Sequence, residues 1–476
     1  MEKFDAIVIG SGAGGSVMAH QLSLKGLRVA VIEKGKRENP ILFEHSEVEM
    51  FPQLYKNAGL QSSKDNALTI AQGCTVGGST VINNAIWLRP DLDKILPEWE
   101  KAGATVPKNE LIKIYGILEK ALRVKPIDPQ KANRGADIFM RGCQELGIPA
   151  SYLDNNREEC LCCGWCNYGC RYNRKTSMLV TFIPWAEKLG AQFLDECIDT
   201  QILTNGKRAT GVQFYRQGSL QQIYADKIVV SCGAIGSSAL LLQSGIALGG
   251  RVGRGFHMLG GVFVTAETME TINGYDGIGL TCYAKASEDY VIESYFAPPV
   301  VFSISVGGFF RTHFERMMNY CKYADAGVMI ATDPTGVITL DKKGNAVIDI
   351  KYTDTDLSRL KEGIKTLSKI FFRGGAVKVL PSSFNIIEFG SENDLNSIDT
   401  LVKRPEDLTI GSAHPQGGNA MCEDSRKGVV GLDFRVHGYD NIFVADTSVF
   451  PTNIRANCQA TAMAMSYYAA SFVAAS

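Results

Sequence analysis

A strand that runs directly into a glycine-rich turn, and from there into a helix, constrains this chain more than any other feature. Phe4-Asp5-Ala6-Ile7-Val8-Ile9 reads as a buried strand and Gly10-Ser11-Gly12-Ala13-Gly14-Gly15 as the turn. A helix to about Lys25 follows, then the strand Val29-Ala30-Val31-Ile32, closed by Glu33. Strand, G-x-G-x-x-G, helix, strand and acid is the order that holds a dinucleotide. Gly10 permits the tight turn, Gly12 lets the backbone approach a pyrophosphate, and Gly15 lets the helix pack on the strand. Ser11, Ala13 and Gly14 complete the turn, the helix N-terminus faces the phosphates, and Glu33 can bind ribose hydroxyls. The fold class expected is α/β (α+β) around a Rossmann-like sheet. The fingerprint alone does not separate FAD from NAD.

Composition bounds the rest. The 476 residues carry 49 basic and 50 acidic side chains, which leaves no basic footprint for nucleic acid. No run of 18 or more purely apolar residues appears, so no membrane span is expected. Met1-Glu2-Lys3 enters the first strand without a cleavable apolar segment, so a cytoplasmic location is expected. The Ala-, Met- and Tyr-rich stretch from Ala460 to Ser476 reads as a buried helix. Of 13 cysteines, five (Cys160, Cys162, Cys163, Cys166 and Cys170) fall within eleven residues. The length excludes a disulfide-stapled miniature.

Three further segments carry chemistry. In Gly73-Cys74-Thr75-Val76-Gly77-Gly78-Ser79 and the following Asn83-Asn84, the amides of Gly77 and Gly78 and the hydroxyl of Ser79 suit a phosphate. Asn83 or Asn84 can hydrogen-bond a heterocycle, although a tight Asn-capped loop without ligand fits the same residues. Gly233-Ala234-Ile235-Gly236 follows the strand Lys227–Cys232. His414 lies in the polar loop Gly411–Asn419 rather than on an apolar face, and an imidazole titrates near neutrality.

Together these segments resemble the signatures of the glucose–methanol–choline (GMC) oxidoreductases, FAD-dependent enzymes acting on alcohols and sugars. Gly73–Pro90 is similar to the first family signature, Gly233–Ile246 to the second, and Val252–His257 to the segment after it. Leu96, Ala247 and Cys458 depart from the family pattern. The resemblance implies FAD rather than NAD. It also implies a discontinuous FAD domain (1–90, 180–260 and 405–476), a helical segment (91–155), a cysteine-rich loop (156–179) and a substrate domain (261–404) whose sheet roofs the flavin. His414 and Asn457 match the family's pair over the flavin: His414 takes the hydroxyl proton, Asn457 orients the substrate oxygen, and hydride passes to the flavin. Asp446 and Thr461, in the segments around Asn457, join the expected cofactor-binding set.

Cys160, Cys163, Cys166 and Cys170 form C-x2-C-x2-C-x3-C, a ferredoxin spacing, with Arg171 where a proline is usual. Resemblance to the GMC dehydrogenases that carry a three-iron cluster picks out Cys160, Cys166 and Cys170. A 3Fe-4S or a 4Fe-4S iron–sulfur cluster is therefore expected, with Cys163 deciding between them. Zinc would more often use two separated knuckles. The function expected is an FAD-dependent dehydrogenase of an alcohol or sugar CH–OH group, its electrons leaving through the cluster. A small subunit and an electron-acceptor protein are the expected partners, and a partner's export signal could carry the chain across a membrane. The alternatives are an oxygen-using alcohol oxidase with a structural Cys/Zn site, and an FAD-containing lyase, for which an electron exit would be pointless. Residues 261–400 hold no motif that names a substrate, only the hairpin Val337–Ile350 and the helix Thr355–Phe372. A helix is also expected over Asn109–Val124 and a strand over Gln192–Leu203.

Overall fold

Apolar runs sort the strands into two sheets. The first, in a computed structural model that describes residues 3–476, contains seven strands. Met1 and Glu2, where a leader was not expected, lie outside the described residues. Lys3–Ile9 lies between Val29–Ile32 and the long strand Ser219–Val230, parallel to both. Gln192–Leu194 extends one edge beyond Val29–Ile32, and Ile442–Val444 pairs with Ser219–Val230. These inner strands are buried on both faces, which is why they read as continuous apolar runs. The first half of Ser219–Val230 leaves the parallel core and pairs antiparallel with Arg208–Arg216, which in turn pairs with Ile198–Asn205.

The second sheet has ten strands and is organised by the fifteen-residue strand Arg254–Thr268. Along its length it pairs antiparallel with Tyr323–Ala331, Ile410–Gly418, Ala376–Pro381 and Gly336–Leu340. Tyr290–Tyr295 follows on the far side of Tyr323–Ala331. The helix Asp354–Arg373 covers one face, burying Leu357, Leu360, Ile364, Leu367 and Phe371. It starts at a capping box in which Thr353 and Asp356 satisfy each other's backbone amides. Arg254–Thr268 spans residue 260, and Ile410–Gly418, from the segment after 405 expected in the FAD domain, pairs within this second sheet.

The C-terminal helix Gln459–Ala475 is lined by small residues and packs between the helices Ala13–Leu24 and Lys108–Leu122. Small side chains permit that approach, and Ser466 Oγ donates to the carbonyl of Gly14 at 2.7 Å. The helices at 108–122 and 354–373 and the hairpin Gly336–Leu340/Ala346–Asp349 fall within two residues or so of the expected bounds. The strand expected over 192–203 is two, broken between Leu194 and Ile198. No helix among the described residues is long and apolar enough to cross a membrane.

Candidate functional site

The glycine turn and the second loop meet. Gly10 has φ +102°, and a Cβ there would lie 2.3 Å from the carbonyl oxygen of Ser231; one on Gly15 would lie 1.9 Å from that of Gly10. A Cβ on Gly14 would lie 2.5 Å from the carbonyl oxygen of Ala445. These three glycines are required by the protein's own packing. Gly12 differs, because the nearest atom to its Cβ position is Gly78 Cα at 4.0 Å. Its openness is what a ligand's close approach needs. Ala13 begins the helix behind it.

Ser11 joins the parts. Its hydroxyl donates to Glu33 Oε2 at 2.7 Å and accepts from the Gly77 amide at 3.0 Å. Glu33 also accepts from the amides of Ser11 and Gly35, and burial pushes its carboxyl above the ordinary range. Ser79 Oγ accepts from the Gly73 amide and is exposed. Asn83 donates to Gln459 at the start of the C-terminal helix, and Asn84 donates to Asn167 at 2.9 Å. Asp446 is saturated by the protein: it accepts from the Gly233 amide, the Ser237 hydroxyl and the Ser448 amide. Thr461 is buried and turned toward the Tyr115 hydroxyl, 3.0 Å away. These two residues build walls of the cradle. An open glycine, a second glycine loop against it and an acid at the strand end fit the adenosine half of FAD.

His414 and Asn457 come together from distant parts of the chain. His414 sits on the strand Ile410–Gly418 and Asn457 just before the C-terminal helix, with His414 Nε2 3.4 Å from Asn457 Nδ2. Burial pushes the His414 imidazole down to about 4, so it is neutral at pH 7. The helix N-terminus beginning at Gln459 places positive potential beside the pair. A third residue, Glu293 on Tyr290–Tyr295, was not anticipated. Asn457 Nδ2 donates to Glu293 Oε2 at 3.5 Å, and burial pushes this carboxyl up to about 7. One acid in an otherwise unremarkable strand carries no motif; its only signal is a charge at an inward position.

Cys160, Cys163, Cys166 and Cys170 line one small cavity of about 20 Å³, and Cys162 is absent from its lining. Arg157 and Lys175 share that lining and are each only 2% exposed. Lys175 Nζ donates to the carbonyls of Val81, Asn83 and Cys166 at 2.7–2.8 Å. Arg157 Nη2 donates to the Asn84 carbonyl and lies 3.5 Å from Cys166 Sγ, while its Nε and Nη1 have no partner. Burial opposes ionisation of Cys166, but the charges of Arg157 and Lys175 outweigh it and hold the thiol below its ordinary value. Backbone amides of Arg174 and Lys175 point at Cys170 Sγ.

No three His, Cys, Asp or Glu side chains among the described residues stand as ligands of a single metal ion. A zinc ion needs its sulfurs about 2.3 Å from one point. Here the thiols are spread around a cavity wall and satisfied by N–H donors instead. All thirteen cysteines are free thiols; of the eight outside the loop, Cys143, Cys197, Cys282, Cys422 and Cys458 are buried and Cys74, Cys232 and Cys321 are half-buried.

Two GMC oxidoreductase family models match residues 51–258 and 332–466, and an NAD(P)-binding Rossmann-like domain model matches 8–37. An uncharacterised GMC-type oxidoreductase of Mycobacterium tuberculosis is 26% identical over 97% of this chain and 74% of its own length. A long-chain-alcohol oxidase of Arabidopsis thaliana is 25% identical over 98% of this chain and 67% of its own. A formate oxidase of Aspergillus oryzae, in a variant studied for modification of its FAD, superposes with a TM-score of 0.77. That match is at 15% identity and covers 100% of this chain and 98% of the other.

Proposed function

This chain belongs to the GMC oxidoreductase family, and we propose that it oxidises a CH–OH group of a small alcohol or sugar with FAD held in the cradle described above. The observation that carries the reading is the meeting of His414 and Asn457 at 3.4 Å, at the start of a helix whose first residue holds Asn83. When bound, FAD supplies the hydride acceptor. The protein's part is proton handling and orientation. A neutral His414 has a lone pair for the hydroxyl proton, and removing that proton makes the adjacent C–H a better hydride donor. Asn457 Oδ1 has no partner in the protein and is free to accept from the substrate. Gly12, Ser11, Gly77, Gly78 and Glu33 hold the nucleotide end, and Asn83 and Asn84 fix the loop beneath the ring system. The test is to purify the protein, measure bound FAD, and mix it anaerobically with a panel of sugars and primary alcohols. Bleaching of the flavin band by at least one of them is expected; absence of FAD would sink the reading.

Where the electrons go next separates dehydrogenase from oxidase. The dehydrogenase reading places an iron–sulfur cluster in the cysteine loop, with a small subunit or acceptor protein beyond it. It is supported by the common cavity of Cys160, Cys163, Cys166 and Cys170 and by two buried cations, Arg157 and Lys175, that make no ion pair with a carboxylate among the described residues. Polynuclear clusters separate their thiolate ligands across their own width, so convergence on one point is not required of them. The cavity's present volume requires the thiols to swing outward to admit one. The oxidase reading is favoured by relatives whose names are alcohol oxidase and formate oxidase. Anaerobic purification with iron and sulfide analysis decides: iron with matching sulfide supports the cluster, and an iron-free flavoprotein rapidly reoxidised by oxygen supports the oxidase.

A further inference from the structure

Glu293, Asn457 and His414 lie on one face of the ten-stranded sheet, the face opposite the helix Asp354–Arg373. The register shows this. Glu293 pairs with Gly327, Gly327 with Phe263, and, four residues back along the same strand as Phe263, Leu259 pairs with His414. Cross-strand partners point the same way, and alternate residues along a strand share a face. Gly327 contributes no side chain, which leaves room above it for the Glu293 carboxylate. Glu293 is 3% exposed and Asn457 8%. Glu293 makes no ion pair among the described residues, and its Oε1 has no partner.

We infer that Glu293 is a positioning residue: it fixes the orientation of the Asn457 amide and, through it, keeps Nε2 of His414 free of hydrogen. The inference rests on His414 being the base. An amide can present oxygen or NH2 with nearly the same shape, and only its partners decide which. A carboxylate is acceptor-only, so the Asn457 NH2 must face Glu293 Oε2. The second N–H of that group is then directed at His414 Nε2, which must accept it. The imidazole is held as the Nδ1–H tautomer, and its Nε2 lone pair, which accepts the long 3.4 Å contact from Asn457 in the free protein, is given over to the substrate hydroxyl when that hydroxyl displaces the amide N–H. Without Glu293 the amide can turn its oxygen to Nε2. That orientation selects the Nε2–H tautomer, which cannot take a proton from substrate there.

The inference also predicts a pH dependence. Protonated Glu293 can donate to the Asn457 oxygen and so invert the amide, and burial places this titration near neutrality. The same register puts other titratable groups on the face of Glu293 and His414: His257 and Glu267 from Arg254–Thr268, Tyr323 from Tyr323–Ala331, Lys378 from Ala376–Pro381, and three nearer to Glu293. The nearer three are Tyr283 from the neighbouring strand Cys282–Ala284, Tyr295 from the same strand, and Asp325 from Tyr323–Ala331. Asp325 is occupied by the Thr265 hydroxyl at 2.7 Å and the Ala297 amide at 3.4 Å.

The test uses the FAD-loaded protein. With histidine labelled with 15N, wild type should show His414 Nε2 as the unprotonated nitrogen, and Glu293→Leu should move it toward the protonated form. The rate of flavin reduction should fall by ~10-fold or more in Glu293→Leu, as expected when a base is held in the wrong tautomer, with part of the loss recovered in Glu293→Asp. Glu293→Gln keeps the shape and should abolish the rise of that rate through about pH 7, whereas Asp325→Asn should retain it. An unchanged tautomer in Glu293→Leu, or a pH limb lost in Asp325→Asn and kept in Glu293→Gln, overturns the inference. If Glu293→Leu does not fold, Glu293→Gln and the pH limb decide. If His414→Ala reduces flavin normally, the base reading fails, and the nitrogen spectrum still reports separately on Glu293.

Discussion

The sheet-face site and the cysteine loop are both buried and polar, yet they treat charge in opposite ways. At His414 and Glu293, burial pushes the imidazole down to about 4 and the carboxyl up to about 7, so each is drawn toward its neutral form. At the cysteine loop, Arg157 and Lys175 make no ion pair with a carboxylate among the described residues; burial pushes Lys175 down only to about 8, so it stays a cation at pH 7, and Cys166 is pulled toward its anion. An isolated buried charge costs several kcal/mol, so such a pair persists only where something compensates it. Carbonyls of Val81, Asn83, Asn84 and Cys166 do so in part, and the remaining guanidinium N–H groups have none. The first site suppresses charge until a substrate arrives. The second is built around positive charge and asks for a negative group. The two are joined, because Lys175 and Arg157 hold the Asn83–Asn84 backbone that also faces the flavin cradle.

The largest expected effect tests the first half of that contrast. His414→Ala should keep FAD bound but slow its reduction by substrate by ~100-fold or more, read by anaerobic stopped-flow absorbance. Near-normal reduction would remove His414 from the mechanism. The second half is tested by Lys175→Met. That substitution leaves three buried carbonyls without their donor, so stability should drop by about 3 kcal/mol in urea unfolding followed by tryptophan fluorescence. A change below about 0.5 kcal/mol would mean the lysine is not structurally engaged, and the contrast between the sites would collapse.

How much of this was legible in the chain follows from where each signal lies. The nucleotide turn is local: Gly10, Gly12 and Gly15 sit within one strand–helix step, so spacing alone located them and the open side of Gly12 followed. His414 and Asn457 are 43 residues apart in sequence, and only the family resemblance paired them. Glu293 was invisible, because a single acid in Tyr290–Tyr295 acquires meaning only when the sheet register sets it opposite Gly327 and beside Asn457. Arg157 and Lys175 were missed for the same reason: a basic residue in a loop is normally solvated, and their burial depends on packing against the 81–84 segment. The cysteine spacing was legible as spacing. Whether four thiols converge is a three-dimensional property, and here they ring a cavity without converging on one ion.

The smallest predicted effect is the dependence of stability on pH, and it sharpens the picture of a charge-suppressing site. His414 and His257 are both pushed by burial to about 4, from an ordinary value of 6.5. Their unfolded forms bind protons first, so stability is lost as pH falls from about 6.5 toward 4. Glu293 and Asp325 are both pushed up to about 7, from ordinary values of 4.5 and 3.8. Their folded forms bind protons first, so stability is lost as pH rises from about 4.5 through 7. Between about pH 4.5 and 6.5 the two pairs oppose each other, so their contributions to the stability of the flavin-free protein nearly cancel there. Single substitutions unbalance the pairs in opposite directions, read by urea unfolding. Glu293→Gln should gain about 2–3 kcal/mol relative to wild type on going from pH 5 to pH 8, since each pH unit between the two values is worth about 1.4 kcal/mol. His414→Gln should gain about 2 kcal/mol relative to wild type on going from pH 7 to pH 5. Parallel pH profiles for both variants and wild type would show that neither group is held toward its neutral form, and that the sheet-face site does not suppress charge.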